Sequence, residues 1–243
     1  MELQDQRALV TGATSGIGRA TVKTLAREGA TVIVTGRNAE GGAKVVAEIE
    51  ADGGRASFIA ADMADLDSVR RLAAEVGDVD VLVNNAGIFP FAPTLEQDVP
   101  DFDAMFDVNV RAPYFLTAAL VPKMLAKGAG SIINVTSIAA SVGMPDSSVY
   151  GASKAALESL TRTWAAEFRG SGVRVNNLSP GPVHTEKVLA QNGDLVAELG
   201  RTTLLGRTAA PEEIAEVVLF LASPRSSYLT GTTITADGGA VAV

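Results

Sequence analysis

The chain has 243 residues, 47% hydrophobic and 20% charged, with a formal net charge of −8, a balance that suits a compact fold and argues against disorder. An acidic chain without a basic cluster is a poor nucleic-acid binder, and no apolar run approaches the ~20 residues that cross a bilayer. There is no cysteine and a single histidine, His184, which excludes disulfides, thiolate nucleophiles and Cys- or His-rich metal sites, so no metal is expected.

In chain order, the N-terminal MELQDQRALV has no basic region leading into an apolar one. No secretory signal is read there, and a cytoplasmic location is expected. The strand-like runs are Arg7–Thr11, Thr31–Thr35, Ala56–Ala60, Val79–Asn84, Ser131–Thr136, Val173–Leu178 and Thr232–Thr235. Segments such as DVLVNN and SIINVTS are nearly continuous in apolar character, as strands covered on both faces of a parallel sheet are. Helical patterns lie between them: Gly16–Glu28 closing near Gly29, Asn38–Asp52 and Asp65–Val76 opening on capping residues, then Asp101–Lys127, Ser148–Arg169 and Pro211–Ala222, the last with proline in its first turn. Pro180–Arg207 reads as a long connection with a short helix around Asp194–Leu199, in the manner of a functional lid. The alternation predicts an α/β fold: one doubly wound parallel sheet of about seven strands with helices on both faces, and one domain over residues 1–243.

Directly after the first strand come Thr11, Gly12, Ala13, Thr14, Ser15, Gly16, Ile17 and Gly18. Gly12 permits a tight turn, Gly16 lets backbone N–H groups approach a pyrophosphate, and Gly18 lets the helix pack near the strand. The helix N-terminus adds a positive dipole end for phosphate. At the end of the second strand, where an NAD site wants a carboxylate for the ribose 2′-hydroxyl, stand Gly36 and Arg37. Nothing there repels a 2′-phosphate, and the guanidinium can bind it in a bidentate, charge-assisted contact. The expected cofactor is NADP(H).

Ser137 ends the fifth strand, Tyr150 opens a long helix, and Lys154 follows four residues on, on the same helix face. A tyrosine titrates near about 10 in water. A neighbouring ammonium and an oxidised nicotinamide are expected to lower that value, so that the phenol serves as acid in reduction and base in oxidation. Ser137 would hydrogen-bond the substrate oxygen. No G-x-S-x-G elbow or nucleophile–base pair suggests a hydrolase or transferase.

Together these pieces resemble the short-chain dehydrogenase/reductase family, whose fold is the Rossmann-type sheet. The resemblance runs along essentially the whole chain: TGATSGIG at 11–18, Asp62, NNAG at 84–87, Asn109 in FDVNV, Ser137, YGASK at 150–154, PGPVHT at 180–185 and DGG at 237–239. It implies an NADP-dependent carbonyl reductase, with Tyr150 as acid/base, Lys154 lowering its pKa and holding the nicotinamide ribose, Ser137 orienting the carbonyl, and Asn109 holding a water in a proton relay. For the cofactor it implies Gly12, Thr14, Ser15, Gly16, Ile17, Gly18 and Arg37. It adds Asp62 and Met63 at the adenine, and Asn85, Ala86 and Gly87 at the adenine-side ribose. Pro180, Gly181, Val183 and Thr185 would cover the nicotinamide, with Thr185 near its carboxamide. His184, at a position the family varies, receives no catalytic role.

The substrate is then a small-molecule ketone or aldehyde, or the matching alcohol. Expected pocket walls are Ile88–Phe91, Ala139–Met144 and Lys187–Leu199, with Phe91, Val142, Met144, Val188, Leu189 and Leu195 as apolar members. Much of the chain is similar to bacterial 3-oxoacyl-[acyl-carrier-protein] reductases, which makes acyl carrier protein a candidate partner. Yet Ser131 and Ser171 stand where that group often has arginines, with Lys127 and Arg169 as nearby substitutes, and the negative charge disfavours an acidic carrier. A small free ketone is the alternative. A non-catalytic dinucleotide-binding regulator ranks lower, because all four catalytic positions are filled. The resemblance also implies a homotetramer joined through Asp101–Lys127, Ser148–Arg169 and the C-terminal segment.

Overall fold

In the computed structural model, which describes residues 1–242 apart from the side chains of 187–188 and 191–195, every strand run prefers parallel neighbours. The strands are β1 (Arg7–Val10), β2 (Thr31–Gly36), β3 (Arg55–Ala60), β4 (Val81–Asn84), β5 (Gly130–Val135), β6 (Val173–Pro180) and β7 (Thr233–Ala236). They form one seven-stranded sheet in the order β3-β2-β1-β4-β5-β6-β7, parallel throughout. All four residues of β4 are buried, as expected where helices cover both faces.

One face packs against α1 (Gly16–Arg27), α2 (Ala39–Ala51) and α8 (Pro211–Ala222), whose Val22, Leu25, Ile49, Ile214 and Val218 meet Val10, Val34 and Val83. The other packs against α3 (Leu66–Val76), α5 (Ala112–Lys127) and α6 (Ser148–Glu167), through Leu72, Leu116, Leu120, Leu157 and Trp164. Each such fully buried aliphatic side chain stabilises by about 1.5–3 kcal/mol. Among the described residues, no helix is long and apolar enough to cross a membrane.

Two expected elements differ. Asp101–Lys127 was expected as one helix; the stretch is instead α4 (Val99–Phe106), a π-turn at Asp107–Arg111, and α5. Pro113 has no N–H to offer the carbonyl of Asn109 four residues back. The ladder slips by one residue, and the Ala112 N–H bonds the Asp107 carbonyl, five residues back. The short helix expected at Asp194–Leu199 is the middle of α7 (Glu186–Thr202). Gly193 costs only about 1 kcal/mol in a helix interior, and Val196 and Gly200 are buried against the body, so packing carries the helix through the glycine. Glu186 in its first turn and Arg201 in its last suit the helix dipole.

A row of buried polar side chains fixes the sheet register beneath the site. Asn84 Nδ2 donates to Asn134 Oδ1 at 2.8 Å, and Asn134 Nδ2 to Thr161 Oγ1 at 2.7 Å. Thr161 Oγ1 in turn donates to Asn177 Oδ1 at 2.6 Å, and Asn177 Nδ2 to Thr233 Oγ1 at 3.1 Å. Burying amides is costly unless they are paired, so a slipped strand or a rotated α6 would forfeit several bonds at once.

Candidate active site

The strand order reverses between β1 and β4, and at such a switch point the carboxyl ends of the strands leave a crevice. The turn after β1 is built to be tight. Gly12 and Gly16 hold φ of +64° and +52°. A Cβ on Gly18 would sit 2.3 Å from the Gly12 carbonyl oxygen, and one on Gly12 would sit 2.9 Å from Ala86 Cα. Ser15, the N-cap of α1, makes no side-chain cap bond, which leaves first-turn N–H groups for an anion. This cradle, with room only for backbone, fits a dinucleotide pyrophosphate.

At the end of β2, a Cβ on Gly36 would press within 3.0 Å of Thr14, so the glycine turn itself crowds out a carboxylate there. Arg37 is exposed. Among the described residues no carboxylate pairs with it, and its guanidinium can take a phosphate. Asp62 is held by an Asx turn, its Oδ1 accepting from Ala64 N at 3.0 Å, and its own N–H donates to Ser68 Oγ at 3.0 Å. Met63 packs against the core.

Asn85 ties the end of β4 to the glycine turn. Its Nδ2 donates to the Thr11 carbonyl at 2.8 Å and the Gly12 carbonyl at 3.2 Å. Thr11 Oγ1 accepts the N–H groups of Asn85 and Ala86, each at 3.0 Å. Thr11 is thus a supporting residue that the motif contained but residue-type reasoning passed over. Gly87 leaves space for two others: a Cβ there would stand 3.2 Å from Lys154 Nζ and 3.4 Å from Asn109 Oδ1.

Ser137, Tyr150, Lys154 and Asn109 converge. Gly151 makes this possible, because a Cβ on it would lie 2.5 Å from the Ala139 carbonyl oxygen. Without one, the start of α6 closes on the segment after β5, and the Ser137 hydroxyl comes near enough to the Tyr150 phenol to pull its pKa down. Lys154, 4% exposed, donates to the Val135 carbonyl at 2.9 Å with its Nζ 5.8 Å from the Tyr150 ring centroid. Ser153 Oγ donates to the Tyr150 carbonyl at 2.7 Å and accepts from Asn109 Nδ2 at 3.0 Å, binding the π-turn to α6. Gly151 and Ser153 lie inside the YGASK motif, and their roles need the fold to be seen. The Asn109 side chain is fully buried and committed to protein groups; its carbonyl, which Pro113 cannot satisfy, is the group suited to a water.

Burial dominates the electrostatics of the site in the protein alone. Burial holds the Tyr150 phenol above its ordinary pKa, against the opposing pull of the Ser137 hydrogen bond. Burial also brings Lys154 down to about 8. Desolvation outweighs the other influences on the phenol, and the neighbouring ammonium is itself desolvated and engaged by a carbonyl. Tyr150 is therefore held protonated, the state an acid needs for reduction.

Beyond β6, the Gly181 N–H bonds the Ala236 carbonyl at 3.1 Å, and Pro182, Val183 and His184 zip against Ala209. The exposed His184 contributes its backbone there. Thr185 arches over the glycine turn, with its Cγ2 3.2 Å from where a Gly16 Cβ would be. Of the expected pocket walls, Phe91 and Phe89 meet Tyr150 edge-on. Val142 and Leu189 are exposed, and Met144 is half-buried. The side chains of Lys187, Val188 and Leu195 lie outside the described residues.

The family model described as "Enoyl-(Acyl carrier protein) reductase" matches residues 12–241. A solved "short chain dehydrogenase/reductase family protein" superposes with a TM-score of 0.95 at 57% identity, covering 100% of both chains. The chain belongs to the short-chain dehydrogenase/reductase family. Among its relatives, the 3-oxoacyl-[acyl-carrier-protein] reductase of Thermotoga maritima is 39% identical over 99% of this chain and 100% of that one. The cis-4-hydroxycyclohexanecarboxylate dehydrogenase of Sinomonas cyclohexanicum is 41% identical over 97% of this chain and 96% of that one. The gluconate 5-dehydrogenase of Burkholderia cenocepacia, solved with NADP and tartrate, has a TM-score of 0.92 at 32% identity, covering 100% of this chain and 97% of that one.

Proposed function

We propose that this chain is an NADPH-dependent reductase of a small free ketone, reversible as a secondary-alcohol dehydrogenase. The observation that carries the reading is the joining of the Ser137 and Tyr150 hydroxyls beside buried Lys154, at the carboxyl edge of a sheet that also holds an uncapped glycine turn. Two neighbouring hydroxyls suit one acceptor oxygen. In reduction Tyr150 gives its proton to the carbonyl oxygen while Ser137 holds that oxygen in place. In oxidation Tyr150 takes the proton back. NADPH, held by the residues around Gly12–Gly18, Arg37, Asp62 and Thr185, would supply the hydride. Lys154 would hold the nicotinamide ribose, and Pro180–Val183 would flank the ring.

A free ketone is favoured over a carrier-bound one. Ser131 is 3% exposed and donates to the Leu221 carbonyl at 2.9 Å, and Ser171 donates to the Phe168 carbonyl at 2.6 Å, so neither offers a docking cation. Lys127 is paired with Asp80, leaving Arg169 to face an acidic partner alone. A homotetramer is part of the proposal, supported by the exposed apolar Phe102, Tyr114 and Phe115 on α4 and α5. The test is NADPH oxidation across free ketones set against acetoacetyl-carrier protein. Faster turnover of the carrier-bound substrate would refute the free-ketone reading.

A further inference from the structure

We propose that Phe89 and Phe91 form a preorganised aromatic wall that selects uncharged cyclic or aryl ketones. The inference rests on the reductase reading above and deepens it. Phe89 and Phe91 approach the Tyr150 ring edge-on, with centroids 6.1 and 5.8 Å away and interplanar angles of 69° and 84°. They stand 5.6 Å from each other. Such geometry matches the positive ring edge to the negative ring face. Both rings pack against the residue whose phenol must reach the substrate oxygen, so a substrate that reaches Tyr150 comes close to them.

The segment that carries the rings is anchored at both ends. Before them, the backbone of Ile88 is held at N–H and C=O by Asn109. After them, the Ala92 N–H donates to the Asp146 carbonyl at 2.9 Å, and Thr94 Oγ1 to Ser148 Oγ at 3.2 Å. Pro90 and Pro93 restrict φ between and beyond the rings. Asp146 keeps a φ of +61°, an uncommon conformation that persists where its surroundings enforce it. A wall fixed in this way loses little freedom when a flat apolar substrate docks. Phe91 remains 39% exposed, and Val142 in the segment after β5 37%, leaving apolar surface to be covered.

Charge points the same way. Residues 88–98 and 138–149 carry only acidic charges, at Glu96, Asp98 and Asp146. A carboxylate or a polyhydroxy chain finds no polar side chain on Phe89, Pro90 or Phe91 to replace its water.

The test measures kcat and KM with NADPH for cyclohexanone, acetophenone, acetone and an open-chain sugar keto acid, in the wild type and in Phe89→Ala, Phe91→Ala and Phe91→Leu. The leucine variant keeps apolar volume and protects the fold. The wild type should favour the two ring ketones over the keto acid by about tenfold or more in kcat/KM. Phe91→Ala should cost about tenfold on acetophenone, mainly through KM, with acetone changed less than about threefold. Phe91→Leu should recover part of the loss. Preference for the keto acid, or equal losses on every ketone in Phe91→Leu, would overturn the wall while leaving the reductase reading standing. No NADPH-dependent turnover of any ketone would overturn both.

Discussion

Asn109 grips the backbone of Ile88 from both sides, its Oδ1 accepting the N–H at 3.0 Å and its Nδ2 donating to the C=O at 2.9 Å. The same Nδ2 reaches Ser153 Oγ at 3.0 Å. One fully buried amide thus joins the π-turn, the loop after β4 and the catalytic helix. The grip depends on the slip at residues 107–111, and so on Pro113, which connects a proline in the sequence to the placement of Tyr150.

Asn109→Ala would strand the Ile88 N–H and C=O without their partner. Leaving buried groups unpaired costs about 1–3 kcal/mol each, so a total loss of about 2–6 kcal/mol is expected, read as a lowered Tm. A raised KM for the ketone should accompany it as the aromatic segment loosens. An unchanged Tm would contradict the clamp.

Arg37→Ala should raise KM for NADPH by about tenfold or more while leaving KM for NADH nearly unchanged, since it removes a charge-assisted bidentate contact. Steady-state kinetics with both cofactors decide it; equal changes would show that Arg37 does not meet the 2′-phosphate. Gly36→Asp should shift preference in the same direction, at a cost in stability because its Cβ would lie 3.0 Å from Thr14 Cγ2.

Gly151→Ala inserts a methyl 2.5 Å from the Ala139 carbonyl oxygen, against backbone that cannot move cheaply. α6 should shift away from Ser137. A misplacement of about 1 Å can cost about 10²-fold in rate, so kcat should fall by that order while NADPH affinity changes little. Wild-type kcat would refute the close approach.

Burial brings Lys154 down to about 8 from its ordinary 10.5, so between those values the folded state binds fewer protons than the unfolded one. Stability against denaturant should therefore rise with pH across that window, by at most about 3 kcal/mol from this group. Below it the burial cost is fully present. Lys154→Met should lose this rise. Parallel pH slopes in the two proteins would contradict a buried, cationic lysine.

Much of this was legible in the sequence because its signals are local. Pro211 at a first turn placed α8 at Pro211–Ala222, glycines marked the turn after β1, and apolar runs marked a parallel sheet. The slip at 107–111 was hidden because a helical apolar pattern continues through it, although Pro113 was the visible cause. α7 was under-read because Gly193 looks like a break until Val196 and Gly200 are seen packed. Spacing shows a cation near Tyr150 but not how little water surrounds both groups. The contacts of Phe89 and Phe91 with Tyr150 join positions about sixty residues apart, and no local pattern reports them.

The central claim is that Tyr150 supplies the proton. It is tested most directly by measuring NADPH-dependent ketone reduction and NADPH affinity together in Tyr150→Phe. The account predicts turnover lower by about 10²–10⁴-fold, the range of a general acid, with the dissociation constant for NADPH within about twofold of wild type. Turnover at the wild-type rate would contradict it.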